Sequence, residues 1–306
     1  MYDLIGDIHG HLDQLERLLA QLGYQRTAGF YSHPSRQVIF LGDFIDRGPA
    51  IQGVLDLAKA MVDGGSALAI LGNHELNALA FHTPSPVRPG QFLRLRTVKN
   101  LRQHQQTIDQ IPANDLAKYL DWFRTLPMWL DLPGLRAVHA CWNDLAIAEI
   151  QRSLTRYDGL SDAFLAEAYS EETPLYRATE IVLRGPEADL PHGISYFDKD
   201  GHERHTMRIR WFLPPADHTY RSYGLQADEI ACDLPIAAEL IAATQSYPLD
   251  AKPVFIGHYW LQANHPALLT PNVACLDYSV AKGGFLTAYR WDGETTLMNE
   301  KFVLSF

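Results

Sequence analysis

The segment that most constrains this chain is residues 42–48, Gly-Asp-Phe-Ile-Asp-Arg-Gly, in which two carboxylates and a guanidinium lie between glycines. It directly follows residues 37–41, an apolar run with the length and β-branched content of a buried strand. Open α/β sheets bind ligands at the carboxyl ends of their strands, where the chain leaves the sheet. Taken alone, the segment fits a reactive turn and an acidic surface turn equally well.

The same order of strand, charged turn and helix occurs two more times in the N-terminal part of the chain. Residues 2–5 lead into Gly-Asp-Ile-His-Gly at 6–10, and residues 66–71 lead into Gly-Asn-His-Glu at 72–75. Apolar residues at helical spacing follow each turn. Three βα units in succession predict a sheet with parallel strands and right-handed crossovers.

The later part of the chain is predicted to contain one basic helical stretch and several more strands. A basic, Gln-rich stretch at 94–104 is predicted to be a solvated helix, and apolar strands precede His139 and His258. Three closing strands are expected at 272–279, 285–291 and 295–304. We therefore expect an α/β fold, a mixed β-sandwich flanked by helices, as one domain over residues 1–306 with a helical and irregular substrate-specific insertion at about 145–250.

The composition and net charge argue against several classes of protein. The 306 residues carry a formal net charge of -10, which argues against general nucleic-acid binding because that needs clustered positive charge. Three scattered cysteines form no CxxC pair, so neither a disulfide framework nor a zinc ribbon is indicated. With no basic and apolar leader after Met1 and no run of membrane-spanning length, we expect a cytoplasmic protein without a membrane partner.

Six potential metal ligands stand close to the ends of five apolar runs. They are Asp7, His9, Asp43, Asn73, His139 and His258. Any one of them alone is better explained as a capping Asp or a hydrogen-bonded core His, but that explanation does not account for all six together. Oxygen and imidazole donors suit Mn²⁺, Fe²⁺ or Zn²⁺, and six donors fit two metals that share a carboxylate. A two-metal centre of this kind suits the hydrolysis of phosphate esters.

The blocks at 6–10, 42–48 and 72–75, followed by Val-His at 138–139 and Gly-His at 257–258, resemble a known set of motifs. In this order they are similar to the signatures of the phosphoprotein phosphatase branch of calcineurin-like metallophosphoesterases. The resemblance implies a central β-sandwich flanked by helices and two divalent metal ions, Mn²⁺ before Fe²⁺ or Zn²⁺. It also implies that a metal-bridging hydroxide attacks phosphorus.

The resemblance assigns a role to each matching residue. For the metals it implies that Asp7 and His9 bind the first ion, that Asp43 bridges, and that Asn73, His139 and His258 bind the second. His74 would protonate the leaving oxygen while Asp46 orients its ring, and Arg47 would clamp phosphate oxygens. Glu75 is expected to be structural.

The resemblance also implies a second phosphate-binding arginine between His139 and His258, but no motif locates it. Arg184 is the preferred candidate. The alternatives are Arg177, Arg208, Arg210 and Arg221.

The expected function is therefore a dinuclear-metal phosphomonoesterase, of the serine/threonine protein phosphatase type, acting on a phosphoprotein or on a small phosphoester or nucleotide. The alternative is hydrolysis of dinucleoside polyphosphates such as diadenosine tetraphosphate. Residues 140–142 and 277–279 depart from the family's usual pattern, so the resemblance leaves the choice of substrate open. A nucleic-acid phosphodiesterase is disfavoured by the acidic charge, and an inactive binding protein by the complete ligand set. The oligomeric state is left open.

Overall fold

The structure is a computed structural model that describes residues 1–27, 29–197, 202–225 and 230–305. The chain forms two compact units, one from residues 1–183 with 252–306 and the other from residues 184–251. In the described ranges, no helix combines the length and the hydrophobicity that crossing a bilayer requires.

The strands are short. In chain order they are β1 (Tyr2–Ile5), β2 (Gln25–Thr27), β3 (Phe30–Ser32), β4 (Gln37–Phe40), β5 (Ala67–Ala69), β6 (Trp129–Leu132), β7 (Leu135–Val138), β8 (Glu187–Asp189), β9 (Tyr196–Phe197), β10 (Glu203–Arg204), β11 (Thr206–Arg208), β12 (Val254–Ile256), β13 (Val273–Cys275), β14 (Asp277–Tyr278), β15 (Phe285–Trp291) and β16 (Phe302–Leu304).

The helices accompany them. They are α1 (Leu12–Gln21), α2 (Ile51–Asp63), α3 (Asn73–His82), α4 (Val98–Gln110), α5 (Ala113–Phe123), α6 (Asp144–Tyr157), α7 (Asp162–Ala168), α8 (Pro174–Arg184), α9 (Tyr220–Tyr223) and α10 (Ala238–Ala243), with short 3-10 helices at Val280–Lys282 and Asn299–Lys301.

Two sheets form the centre of the first unit. One has the order β14-β15-β1-β4-β5, with β16 paired to β15, and the other has the order β13-β12-β7-β6. Strands β1, β4 and β5 run parallel, as the three βα units predict, and β12 runs parallel to both β7 and β13. In each sheet the carboxyl ends of the parallel strands therefore share an edge.

One apolar cluster joins the two sheets. It contains Leu4 and Ile39 from the first sheet and Ala137, Phe255 and Ala274 from the second, all fully buried. Apolar burial of this kind contributes roughly 25 cal/mol per Å² of surface removed from water. The sheets therefore pack as a sandwich, and the predicted mixed α/β fold is confirmed.

Several boundaries differ from the prediction. Helix α5 was not expected, and the strand expected at 295–304 is wrong in its first part because residues 299–301 form a 3-10 helix and only β16 pairs with β15. The strand expected at 272–279 is divided between the two sheets, β13 in one and β14 in the other. Helix α4 is only partly solvated, since His104 and Thr107 are buried.

Residues 184–251 form their own small unit. It contains the antiparallel pairs β8–β11 and β9–β10 and the helices α9 and α10. Residues 145–183 of the predicted insertion form α6, α7 and most of α8 in the first unit, and residues 198–201 and 226–229 lie outside the described residues.

Candidate metal centre

The candidate centre is organised around Asp43, which follows β4. Two groups of buried ligand atoms, each within 4.8 Å of one another, contain this carboxylate: His9, Asp43 and His74 in one, and Asp43, His139 and His258 in the other. The strands that lead to these residues come from both sheets. The sandwich therefore brings together side chains that are more than two hundred residues apart in sequence.

His9 is held with one ring nitrogen ready to bind a cation. Its Nδ1–H donates to the carbonyl oxygen of Ile45 at 2.8 Å, which leaves the lone pair on Nε2. That Nε2 is buried, lies 3.6 Å from Asp43 Oδ2, and has no hydrogen-bond partner among the described residues. Burial and the charge of Arg47 both lower the pKa of His9, which favours the neutral ring that metals bind.

A second group of donors faces the other side of Asp43. The amide Oδ1 of Asn73 lies 3.1 Å from His139 Nε2 and 2.8 Å from His258 Nδ1. His139 Nδ1–H donates to the carbonyl of Leu41 at 2.7 Å, so His139 Nε2 faces the amide oxygen and Asp43 Oδ1, 3.4 Å away. Burial lowers the pKa of His139, but the Asp43 carboxylate outweighs it and raises the value to about 10. The surroundings of this ring therefore favour positive charge at Nε2.

Asp7 lies outside both of these groups, directly against His258. Both of its carboxylate oxygens accept the His258 backbone N–H, at 3.2 and 3.1 Å. This contact requires the glycine before His258, because a Cβ at Gly257 would stand 2.0 Å from Asp7 Oδ1. Burial and the charge of Asp277 raise the pKa of Asp7.

These donors fit two divalent cations. Asp7 and Asp43 are both nearly inaccessible to solvent, and buried carboxylates are costly unless they are paired or bind a cation. The pKa of Asp43 is nevertheless low, because the neighbouring histidines outweigh the effect of burial. Oxygen and imidazole donors that lack thiolate partners suit ions such as Mn²⁺, Fe²⁺ and Zn²⁺.

His74 and Asp46 form a close pair beside the metal ligands. The two side chains meet through His74 Nδ1 and Asp46 Oδ2, 2.5 Å apart. The other carboxylate oxygen, Oδ1, accepts hydrogen bonds from His104 Nδ1 at 2.8 Å and from the Thr107 hydroxyl at 2.6 Å. Burial raises the pKa of Asp46, but these hydrogen bonds outweigh it and hold the value below its usual range. Asp46 is thus an ionised, fully hydrogen-bonded partner for His74.

His104 and Thr107 are residues of the candidate site that the sequence did not predict. They stand three apart on α4, so they face the same side of the helix, and both are buried. A charged and Gln-rich stretch predicts a solvated helix, and only their helical spacing distinguishes these two polar residues. Their burial is explained by the carboxylate that they bind.

The other nitrogen of His74 faces Arg47 and Gln103. Arg47 Nη2 and Gln103 Nε2 each lie 3.3 Å from His74 Nε2. The guanidinium also stacks on Trp260, with Cζ 3.7 Å from the ring centroid. Asp43, Asp46 and Arg47 all have positive φ, at 52°, 67° and 70°, a conformation that costs non-glycine residues energy and clusters at functional sites.

Glu75 holds this strained turn in place. Its buried carboxylate accepts backbone N–H groups from Asp43 and Phe44 at 2.8 Å and from Gly72 at 3.0 Å. Burial and the charge of Asp43 raise its pKa to about 8. The side chain thus joins the turn after β4 to the start of α3, which is the structural role expected for it.

The structure brings together nine of the ten predicted site residues. Arg184 is the last residue of α8 and the first residue of the second unit, and its role remains a prediction. Asp277 was not predicted as a site residue, although it lies in the predicted closing strand and its charge acts on both Asp7 and Arg47.

Comparison with known families gives one extended match. The family model described as calcineurin-like phosphoesterase matches residues 2–210, which contain five of the six predicted metal ligands but not His258.

Two curated relatives are similar to the chain. The asymmetrical bis(5'-nucleosyl)-tetraphosphatase PrpE of Oceanobacillus iheyensis is 33% identical over 141 residues, which cover 45% of this chain and 54% of that protein. The chain thus spans about half the length of this relative. A symmetrical bis(5'-nucleosyl)-tetraphosphatase of Actinobacillus pleuropneumoniae is 25% identical over 313 residues, covering 97% of this chain and 98% of that protein.

Among solved structures, a protein serine/threonine phosphatase from Saccharomyces cerevisiae is similar in fold. It is 11% identical, covers 99% of this chain and 78% of that one, and superposes with a TM-score of 0.51. At this identity the likeness concerns the fold alone.

Proposed function

We propose that this chain, which belongs to the calcineurin-like phosphoesterase family, hydrolyses phosphoester bonds with the help of two divalent cations. The observation that carries the proposal is Asp43, which lies in both groups of buried ligand atoms and directly beside the pair formed by His74 and Asp46. One carboxylate shared by two sites is what a dinuclear centre needs.

One cation would be held by Asp7 and His9. The other would be held by Asn73, His139 and His258, and Asp43 would be shared by the two cations. The cations, of which we favour Mn²⁺, would supply Lewis acidity that lowers the pKa of water and neutralises phosphoryl oxygens. The chain itself supplies orientation. The carbonyls of Ile45 and Leu41 fix the rings of His9 and His139, so that Nε2 of each ring faces Asp43.

His74 would donate a proton to the leaving oxygen. Its Nδ1–H is held by Asp46, so Nε2 is the nitrogen that faces the substrate side, next to Arg47. The carboxylate fixes the tautomer and stabilises the imidazolium. Asp46 is itself fixed by His104 and Thr107, which prevents it from rotating away from the ring.

Arg47 would bind the phosphate being hydrolysed. Its planar fork suits phosphate oxygens, and stacking on Trp260 holds the plane of the guanidinium while its N–H groups remain able to donate. Arg184 is proposed as a second phosphate-binding arginine. The segment around it, within the proposed insertion at about 145–250, would select the substrate.

Two substrate classes remain as candidates. The sequence motifs favour phosphomonoesters, with a phosphoprotein as the physiological form, and the names of the relatives favour dinucleoside polyphosphates. A cytoplasmic location is part of the same proposal, because phosphoproteins and nucleotides are both present there.

The test is a substrate panel with defined metal content. Protein freed of metal by a chelator should be inactive on 4-nitrophenyl phosphate, a phosphoserine peptide and diadenosine tetraphosphate, and Mn²⁺ should restore activity on at least one of them. Metal binding should also raise the melting temperature, because a ligand that binds only the folded state stabilises it. Activity that is indifferent to the chelator would refute the two-metal proposal, and a His9→Ala variant that keeps the full Mn²⁺ stoichiometry would refute the ligand assignment.

A further inference from the structure

Trp260 carries two cationic side chains on its indole ring. The Arg47 guanidinium carbon lies 3.7 Å from the ring centroid, and Lys282 Nζ lies 4.3 Å from the same centroid. Both distances are within the range of cation–π attraction. Since both are measured to one centroid, Lys282 Nζ lies within about 8 Å of the guanidinium carbon of Arg47, the arginine proposed to bind the scissile phosphate.

Trp260 is held by the backbone as well as by packing. It stands two residues after His258, and both residues have positive φ, 70° for His258 and 51° for Trp260. The Trp260 backbone N–H donates to Asp277 Oδ2 at 2.7 Å. Maintaining two left-handed non-glycine residues in one turn needs such support, and this places the half-buried ring at a defined position beside the metal centre.

The same carboxylate fixes the segment that carries Lys282. Asp277 Oδ1 accepts the backbone N–H of Ser279 at 3.0 Å, and the 3-10 helix Val280–Lys282 begins at the next residue. Ser279 also has positive φ, at 59°. Asp277 thus joins the turn with Trp260 to the turn with Lys282, and this link keeps Lys282 in contact with the ring that also carries Arg47.

Lys282 contacts the Trp260 ring, and in the described part of the chain no carboxylate forms an ion pair with it. Arg47, by contrast, lies in the field of the Asp43 and Asp277 carboxylates. The lysine is exposed, so its ammonium group is accessible to a ligand. Two cations on one ring repel each other, and an anion bound to both would relieve that repulsion.

We propose that Lys282 binds a second phosphate group, one joined to the phosphate held by Arg47. The proposal rests on the proposed function and narrows it to substrates with condensed phosphates, such as nucleoside di- and polyphosphates. A lysine ammonium is a compact point charge that binds phosphate without a fixed direction, which suits a flexible chain of phosphates. Lys282 is a specificity residue in this proposal, and the group that reacts remains the phosphate at Arg47.

The experiment compares two substrates that differ by one phosphate, ADP and AMP. The ratio of kcat/KM for ADP to that for AMP should fall about tenfold in Lys282→Ala, mainly through KM, which is the size expected for one charge-assisted hydrogen bond. Lys282→Arg should keep most of the ratio. Lys118→Ala removes another exposed lysine, which pairs with Asp115, and it should leave the ratio as in the wild type.

A binding measurement separates failure of this proposal from failure of the proposed function. Calorimetry should show that inorganic pyrophosphate binds the wild type about tenfold more tightly than it binds Lys282→Ala, whether or not the protein is active on any ester. Equal pyrophosphate affinity in the two proteins would overturn the proposal, as would a ratio of ADP to AMP that does not change. A Lys282 effect seen only with a doubly phosphorylated peptide would also overturn it, because the second phosphate would then come from a protein.

Discussion

Replacing His104 by leucine tests how the His74–Asp46 pair is held. His104 is 1% exposed, and its Nδ1–H donates to Asp46 Oδ1 at 2.8 Å while its ring packs 5.1 Å from Phe81. Leucine keeps an apolar side chain of similar size in this place and removes the donor. Among the described residues, Thr107 is then the one side-chain donor left on Asp46 Oδ1.

The expected loss of stability follows from the strength of the hydrogen bond between His104 and the Asp46 carboxylate. A hydrogen bond to a charged, buried acceptor contributes about 1.5–3 kcal/mol, so we expect the free energy of unfolding to fall by that amount at neutral pH. Burial by itself raises the pKa of Asp46, but the hydrogen bonds from His104 and His74 lower the pKa by more, so the net shift is downward. A carboxyl with a lowered folded pKa stabilises above its unfolded pKa, about 3.9, and loses this contribution as acid protonates the folded state. The stability gap between wild type and variant should therefore be full at pH 7 and shrink below about pH 4.

The activity assay varies the leaving group. An acid that protonates the leaving oxygen matters most when that oxygen is strongly basic, as in an alkyl phosphate, and least for 4-nitrophenolate. We therefore expect His104→Leu to lower kcat on an alkyl phosphate by about tenfold or more and kcat on 4-nitrophenyl phosphate by much less, since each 1.36 kcal/mol is one factor of ten. His104→Asn restores a donor near the position of Nδ1 and should recover much of the alkyl phosphate activity.

Two results would contradict this reasoning. Equal losses on both substrates would show that His104 supports the fold in general and does not position the acid. Full alkyl phosphate activity in His104→Leu, with the expected loss of stability, would show that Thr107 alone holds Asp46.

Three further variants test separate parts of the structure. His74→Asn should lower kcat by a factor of about 100 or more while the metal stoichiometry stays at the wild-type value, and loss of metal would instead make His74 a ligand. Arg184→Ala should raise KM and lower kcat, and wild-type kinetics would transfer the second phosphate-binding role to another arginine. Arg36→Ala removes a nearly buried partner of Asp3 that also donates to two backbone carbonyls. It should lower the free energy of unfolding by about 2–4 kcal/mol. This is less than the cost of losing a buried pair completely, because Arg290 still binds Asp3. Urea denaturation at pH 7 measures this, with intact activity per folded molecule as the control.

The core of the fold was predictable because periodicity and turn residues act locally. The strands at β1, β4, β7 and β12 and the helices α1 and α2 lie close to where the apolar patterns predict them. The closing strands were harder, since β14 is only two residues long and β16 only three. Strands this short have no periodicity of their own, and they exist because β15 offers them a pairing edge.

The candidate site likewise contains residues that the sequence indicated and residues that it did not. Asp43, Asp46 and Arg47 stand in one turn, and their positions after a strand already indicated chemistry. Nothing local marks His104 or Lys282, because each contacts a residue that is distant in sequence: His104 contacts Asp46, and Lys282 contacts Trp260.

The sequence alone determined the proposed ligand set and the strands that deliver it, because each proposed ligand follows the end of an apolar run and the carboxyl ends of parallel strands share an edge. The tertiary structure alone decided which other side chains surround the candidate site. It buried His104 of a charged helix against Asp46, and through Asp277 it joined the turns that carry Trp260 and Lys282. A buried carboxylate must be surrounded by donors, and which residues supply them depends on how the elements pack.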